Sequence, residues 1–462
     1  MKRLIGFLLC TCFASPFTSV TANVQQYQLD NGLKILVKED HRAPVVVSQV
    51  WYKVGSSYEH DGITGISHAL EHMMFKGTTK YPAGRFSEII SENGGQENAF
   101  TGTDYTAYFQ TLEKSRLEIS LRLEADRMRN LTLPKEEFLK EIKVVQEERR
   151  LRTEDNPRAF AREVSMATAF QTSPYRQPIV GWMEDLQSMT VEDLKSWYRE
   201  WYAPNNATLV VAGDVESDEV YRLAKKYFGG LAKENVASPR IASEVKQNGL
   251  KRVVVKRPAE VPHLQMSYKA PVLTTVINGE GDIEPWEPYA LEVLAGVLDG
   301  GSSARFASRL VRGREVASGV GAGYSLVSRL SSLFAISGSP AKGKTTAELE
   351  AAIKEEIETI KQELVTAEEL ERVKAQVVSA DVYEKDSVFY QALIIGMLET
   401  IGLPWTLADE YVGNIQKVTA EQVQAVAQKY LVEDSLTVAV LEPLPMEQPR
   451  PRRAIGGSRH AH

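Results

Sequence analysis

Histidine is scarce in this chain: seven among 462 residues, at positions 41, 60, 68, 72, 263, 460 and 462. Two of them, His68 and His72, stand four apart with Glu71 between, in the order H-x-x-E-H. On a helix an i, i+4 pair projects from one face, and Glu71, three residues after His68, converges on it. Two neutral imidazoles at that spacing suit Zn2+, and a carboxylate beside them suits removal of a proton from water. The order is the inverse of the commoner H-E-x-x-H zinc motif. A polar helix face with two incidental histidines spells the same letters, so the pattern needs a third ligand and a context.

A catalytic zinc takes three protein ligands and leaves one position for water. The helical stretch Lys135 to Leu151 offers the third. Its apolar stripe runs Phe138, Ile142, Val145, which puts the next inward position at 148 or 149. Glu148 is the carboxylate there, Glu141 shares its face seven residues earlier, and Glu147 falls about 100° away. The run Glu147-Glu148-Arg149-Arg150 also reads as an ordinary solvated charged face.

These side chains need rigid elements beneath them. Tyr27 to Leu29, Asp30-Asn31-Gly32 and Leu33 to Val37 read as a hairpin with a two-residue Asn-Gly turn. A β-branched and aromatic strand follows at Val45 to Val54, and Phe100 to Leu112 is extended. Helical periodicity covers the region near Ile66, Phe86 to Glu92, Arg116 to Arg129 and Lys135 to Leu151. Strands alternating with paired helices indicate an α+β class rather than a strict βαβ repeat.

The chain also repeats itself. Met189-Thr190-Val191-Glu192-Asp193-Leu194, leading through Trp201 and Asn205 to Thr208-Leu209-Val210-Val211, recurs 229 residues later. There it reads Val418-Thr419-Ala420-Glu421-Gln422-Val423, then Tyr430, Asp434 and Thr437-Val438-Ala439-Val440. His68-Ala69-Leu70-Glu71-His72 is echoed 221 residues on by Tyr289-Ala290-Leu291-Glu292-Val293. The expected organisation is two similar domains, 24–232 and 248–445, joined by a polar linker at 233–247. Each is expected to be a mostly antiparallel sheet covered by helices. Residues 446–462, with Arg450-Pro451-Arg452-Arg453, are expected to be a disordered tail.

Composition bounds the compartment and the partners. With 43% hydrophobic and 25% charged residues the chain has a globular balance, which excludes a disordered or rod-like protein. A pI near 5.7 argues against nucleic acid as the main partner. Met1-Lys2-Arg3, the apolar run Leu4 to Phe13 and Val20-Thr21-Ala22 form a signal-peptide pattern over 1–22, with cleavage expected before Asn23. The run is too short to span a bilayer, and Leu9 before Cys10 weakens a lipoprotein reading. Cys10 and Cys12 both lie in that segment, so the mature chain is expected to hold no disulfide. Without Lys2 and Arg3, 52 basic residues face 61 acidic ones, a net charge of −9. An exported protein, periplasmic or secreted, without a stable membrane span is expected.

Around the histidines the sequence resembles the pitrilysin/insulinase-type metallopeptidases, which include mitochondrial processing peptidases. The resemblance rests on Gly65-Ile66-Ser67-His68-Ala69-Leu70-Glu71-His72-Met73-Met74-Phe75-Lys76-Gly77-Thr78, on Asn93-Gly94-Gly95, and on Asn98-Ala99 with Thr101, Thr106 and Tyr108. Val144-Val145-Gln146-Glu147-Glu148-Arg149-Arg150 matches the family's distal ligand segment, 76 residues after His72. It implies one Zn2+ per chain on His68, His72 and Glu148, Glu71 as general base and Glu141 as a partner behind the ligands. It further implies that the segment around Asn98-Ala99 pairs with a peptide substrate by β-addition, in a clamshell half-chamber. Tyr289 and Val293 replace the histidines in the second domain, which is therefore expected to bind no zinc. The expected activity is zinc-dependent hydrolysis of peptides or unfolded segments. A non-catalytic binding or scaffold subunit is the alternative, against which the intact His68, Glu71, His72 and Glu148 set speaks. Family members with a closed chamber have four such domains, so a second chain is expected. Active chambers carry an Arg and, seven residues on, a Tyr; here Arg312 is followed by Gly319, and Tyr324 lies five residues too far. A heterodimer with a related chain lacking the zinc motif is expected, a homodimer being the other possibility.

Gly338-Ser339-Pro340-Ala341-Lys342-Gly343-Lys344-Thr345 fits the phosphate-loop pattern. Pro340 removes an N–H from the loop that would cradle phosphate, so an ordinary strand-to-helix connection is expected. Gly300-Gly301-Ser302-Ser303 is expected to turn the chain after a helix, and His263 to be a structural histidine in a strand.

Overall fold

A computed structural model describes residues 24–236 and 243–446 of the chain. The expected signal peptide and nearly all of the expected tail, with His460 and His462, lie outside them.

Two sheets dominate the fold. The first contains β1 (Gln25–Gln28), β2 (Lys34–Glu39), β3 (Val45–Tyr52), β4 (Gln96–Thr101), β5 (Thr106–Glu113) and β6 (Ala207–Gly213), in the order β1-β2-β6-β3-β5-β4. The second contains β7 (Lys251–Pro258), β8 (His263–Ala270), β9 (Ala317–Gly323), β10 (Ser332–Pro340) and β11 (Leu436–Leu444), in the order β7-β11-β8-β10-β9. With β1 set aside, the orders coincide strand for strand. In both sheets one pair is parallel, β2 with β6 and β7 with β11, and the other pairs are antiparallel. The class is α+β, as expected, and the sequence repeat has a structural counterpart. Helices Val191–Trp201 and Ala420–Tyr430, which open the two repeated motifs, both start with a capping box, Thr190 with Asp193 and Thr419 with Gln422.

Strand β6, Ala-Thr-Leu-Val-Val-Ala-Gly, is buried along its whole length, because helices cover both faces of the sheet. One cover comes from the other half of the chain. The helix Val388–Ile401 packs on β3 and β6 of the first sheet, and Pro157–Ala169 packs on β7, β8 and β11 of the second. Val388–Ile401 is apolar nearly all round, as a helix sandwiched between layers must be. Its Gly396 lies so close to the Trp51 indole that a Cβ would stand 2.1 Å from Nε1. The halves are also tied by polar contacts. Arg329 donates to Asp104 through its backbone N–H (3.1 Å) and Nε (3.3 Å), and Asp104 accepts from Ser57 as well. Within 233–247, Glu244 accepts from the N–H groups of Gln171, Thr172 and Ser173 and pairs with Lys269 at 2.6 Å.

One local expectation is corrected. The β1–β2 connection is a three-residue loop, Asp30-Asn31-Gly32, closed by Leu29 N–H to the Leu33 carbonyl at 3.0 Å, rather than a two-residue Asn-Gly turn. Gly32 takes the left-handed conformation at φ 91°. The Asn31 amide reaches out of the hairpin to the Phe228 and Leu231 carbonyls at 2.8 and 2.9 Å, and those tertiary bonds decide the loop. The phosphate-loop letters are a strand-to-helix connection: Pro340 ends β10, and Thr345 caps the helix Thr346–Gln362 in a capping box with Glu348. His263 sits in β8 with Nδ1 3.0 Å from the Ser339 hydroxyl.

Candidate metal centre

Ile66–Met73 is a short helix whose start is fixed from several sides. Gly65 precedes it at φ 84°, and a Cβ there would meet the Val180 carbonyl at 2.3 Å, so only glycine fits. Glu59 accepts from the Gly65 and Ser67 N–H groups at 2.6 and 2.8 Å, which satisfies two of the helix's free donors. Burial pushes the Glu59 carboxyl up to about 7 despite those bonds. Nothing in the local sequence marks Glu59, since its partners lie six and eight residues downstream.

The helix then presents His68 and His72 together, their rings 4.8 Å apart and nearly perpendicular. The second helix, Lys135–Arg149, buries Phe138, Ile142 and Val145 and brings Glu148 across. Glu148 Oε2 lies 3.5 Å from His68 Nε2 and 3.8 Å from His72 Nε2. Glu147, one residue earlier, is turned outward and pairs with Arg150. Just past Glu148 the chain widens into a π-helical turn, Arg150–Glu154. Its Arg152 approaches Glu148 Oε1 at 3.5 Å.

Whether these groups suit a zinc ion can be judged from their geometry. One ligand atom from each of His68, His72 and Glu148 lies within 4.8 Å of the others. Tetrahedral bonds of about 2.0–2.2 Å place neighbouring ligand atoms roughly 3.3–3.6 Å apart, close to the 3.5 and 3.8 Å found. Glu148 Oε2 is buried with no hydrogen-bond partner, an expensive state for a carboxylate unless a cation meets it. Burial pushes His68 down to about 3, with the neighbouring His72 adding to it, which keeps His68 in the neutral form a metal needs. The donor set fits Zn2+.

Behind the ligands, Glu141 Oε2 stands 3.3 Å from His72 Nδ1, and its Oε1 pairs with Lys76 at 2.8 Å. The His72 hydrogen bond and Lys76 hold the Glu141 carboxyl down to about 2. A charged carboxylate there fixes which His72 nitrogen faces the centre. Glu71 faces the same pocket and accepts from the Thr101 hydroxyl at 2.5 Å; burial raises its carboxyl above the ordinary range. Thr101, Phe100, Ala99, Asn98 and Glu97 belong to β4, the outermost strand of the first sheet, and line one wall of a cavity of about 580 Å³. Asn98 Oδ1 accepts from the Ala99 N–H at 2.8 Å. Both Glu97 oxygens are buried without a hydrogen-bond partner. Glu97, Lys76 and Arg152 all line this cavity, and periodicity did not single them out: Glu97 is placed by the pairing of β4 with β5, Lys76 by the turn after the helix Ile66–Met73, and Arg152 by the π-helical turn.

Two residues considered from the sequence are elsewhere. Arg312 is exposed and donates to the Ser302 carbonyl at 2.6 Å; within the chain it does not line the His68 cavity. Tyr324 bonds the Pro271 carbonyl and lines a separate cavity, formed mainly by the second half.

Residues 34–181 match the family model described as insulinase (peptidase family M16), and residues 188–377 match the one described as peptidase M16 inactive domain. Among relatives, a protein of Helicobacter pylori named zinc protease PqqE is 35% identical over 326 residues, 69% of this chain and 71% of its own. A Bacillus subtilis protein named as an uncharacterized zinc protease, YmxG, is 28% identical over 91% of this chain and 98% of its own. The crystal structure of a protease from Helicobacter pylori superposes with a TM-score of 0.85 at 29% identity, over 91% of this chain and all of that one. The periplasmic protease PqqL of Escherichia coli shares the fold, with a TM-score of 0.74 at 20% identity, and this chain spans 48% of it. The chain belongs to the M16 (insulinase) peptidase family.

Proposed function

We propose that the chain is a zinc-dependent endopeptidase that hydrolyses peptides or unfolded polypeptide segments. The observation that carries the reading is the convergence of His68, His72 and the unpartnered Glu148 oxygen beside Glu71 on one wall of an open cavity. His68, His72 and Glu148 would hold one Zn2+, which supplies Lewis acidity toward water and toward the scissile carbonyl. Glu71 takes the proton of the attacking water and passes it to the leaving amine. Burial raises its proton affinity, the direction required of a carboxylate that accepts a proton and returns it. Thr101 holds Glu71 in place, and Glu141 orients His72. Among the described residues, strand β4 has one edge paired with β5 and no strand on the other, so an extended peptide adds there beside Asn98 and Ala99, with Glu71 next to its backbone.

The second domain, 248–445, is read as a non-metal half: Tyr289 and Val293 stand in place of the histidines and are buried in its core. A protein with a chain about twice as long shares this fold, which supports a half-chamber completed by a second chain. A related chain without the zinc motif is the partner proposed, supplying the Arg and Tyr that Arg312 and Gly319 do not provide here. No helix among the described residues is long and apolar enough to cross a membrane, and the signal pattern at 1–22 directs the protein out of the cytoplasm.

The test is metal analysis with a quenched-peptide assay on purified chain. One zinc per chain and chelator-sensitive cleavage are expected. A zinc-free chain that binds peptides without cutting them would instead establish the scaffold reading.

A further inference from the structure

A second cavity, about 520 Å³, is lined mainly by the second half, with Val24 and Lys38 contributed by the first, and is built around Glu292 and four tyrosines, Tyr289, Tyr324, Tyr390 and Tyr411. Glu292 Oε1 accepts from the Tyr411 hydroxyl at 2.7 Å. Its Oε2 is buried with no hydrogen-bond partner. Of the four tyrosine hydroxyls, that of Tyr324 donates to the Pro271 carbonyl, that of Tyr411 to Glu292, and that of Tyr289 accepts from Asn414 at 3.1 Å. These rings are therefore fixed, and what they add to the lining is aromatic carbon. The remaining charges are acidic on balance: Asp381, Glu384 and Asp409 against Lys38 and Lys385. Lys385 is paired with Asp381 at 2.9 Å.

We propose that this cavity is a ligand site for a primary alkylammonium group. A buried carboxylate with one free oxygen lacks a donor, and leaving it so is costly. Aromatic faces favour a cation over a neutral donor, and the excess of acidic side chains favours the same sign. An ammonium on an alkyl stem meets all three demands: an N–H for Oε2, positive charge for the rings, and apolar carbon for the walls. Alcohols lack the charge and carboxylates carry the wrong one. Burial pushes the Glu292 carboxyl up to about 7, so a bound cation would also stabilise its ionised form. Lys38 lines the same cavity. The proposal does not depend on the peptidase reading.

The group could come from a free amine or from a lysine side chain of a peptide, and two arms separate these. In the first, n-hexylamine, n-hexanol and hexanoate are titrated into the full-length mature chain by calorimetry, with a chelator present so that no metal ligates the amine. In the second, a short peptide with one lysine and a blocked N-terminus is compared with its acetyl-lysine form. Saturable binding of the amine or of the free-lysine peptide is expected, with the alcohol, the acid and the acetylated peptide inert. Glu292→Gln should weaken it at least tenfold, with the variant shown to be folded by circular dichroism at the titration temperature. Ala380→Trp provides a second variant should Glu292→Gln misfold: Ala380 is exposed at the lining, and a bulky side chain there should block entry and abolish binding. Failure of both amine forms to bind, or binding unaffected by both substitutions, would overturn the proposal.

Discussion

Glu71 and Glu292 stand at corresponding positions on corresponding helices, and each has a carboxyl raised by burial. Glu71 is flanked by two imidazoles and faced by Glu148; Glu292 is flanked by Tyr289 and Val293 and capped by Tyr411. The facing helix differs too. Lys135–Arg149 delivers Glu141 and Glu148 toward the first site, whereas Ala367–Lys385 presents Gln376, Val377 and Ala380 to the second, with Asp381, Glu384 and Lys385 at its C-terminal end. A duplicated scaffold thus keeps the carboxylate and changes what can neutralise it. In one half a dication fits; in the other there is room and charge for an organic cation but, among the described residues, no ligand set like that of the first half.

Removing a first-half ligand should break that distinction most completely. His68→Ala is expected to lose bound zinc and, with it, peptide cleavage by about 10³-fold or more, since metal and base act together; metal analysis of the dialysed variant checks it. Zinc retained at full stoichiometry would remove His68 from the ligand set.

Next in size is the support behind the ligands. Glu141→Gln should weaken zinc affinity by about 10–100-fold while the fold is retained, the usual cost of losing a carboxylate behind a ligating histidine. Competition with a fluorescent chelator measures it. Affinity equal to wild type would mean that Lys76, not His72, is what Glu141 serves.

The second half sharpens the comparison through pH. The Glu292 carboxyl lies near 7 in the folded chain because of burial, above the ordinary unfolded value of about 4.3. A raised folded value means stability that is fully present below about pH 4.3 and lost as pH rises through about 7. Glu292→Gln removes that loss. The variant should be more stable than wild type at pH 8 by about 1–3 kcal/mol, with the difference closing at pH 4. Denaturant unfolding at both values decides it, and a constant difference would show that Glu292 does not titrate in this range.

The smallest expected effect is the sharpest control. Glu147→Gln, one residue before the proposed ligand, should leave zinc content unchanged and stability within about 0.5 kcal/mol. Loss of zinc there, with Glu148→Gln unaffected, would reverse the assignment on the helix.

Much of the first site was legible because its residues lie on two helices whose periodicity is regular. The four-residue spacing of His68 and His72 and the stripe Phe138, Ile142, Val145 each fix a direction without knowledge of the fold. The repeat was legible for a similar reason, since Thr190 and Thr419 cap equivalent helices. What escaped depends on contacts between distant segments. Glu59 caps a helix that starts seven residues later, and the Asn31 loop is decided by carbonyls nearly 200 residues away. The exchange of covering helices between halves leaves no periodic trace, because an all-apolar helix such as Val388–Ile401 does not say which sheet it covers. Arg312 looked available from sequence, yet its guanidinium is engaged at Ser302.

In the proposed mechanism Glu71 moves the proton while His68, His72 and Glu148 hold the ion, and Glu71→Gln separates the two. Zinc content and cleavage of a quenched peptide are measured side by side on the same preparation, with the proposed partner chain added where it is required for activity. One zinc per chain is expected, as in wild type, with cleavage lower by about 10²–10⁴-fold, the range for a lost general base. Cleavage at the wild-type rate with zinc in place would contradict it.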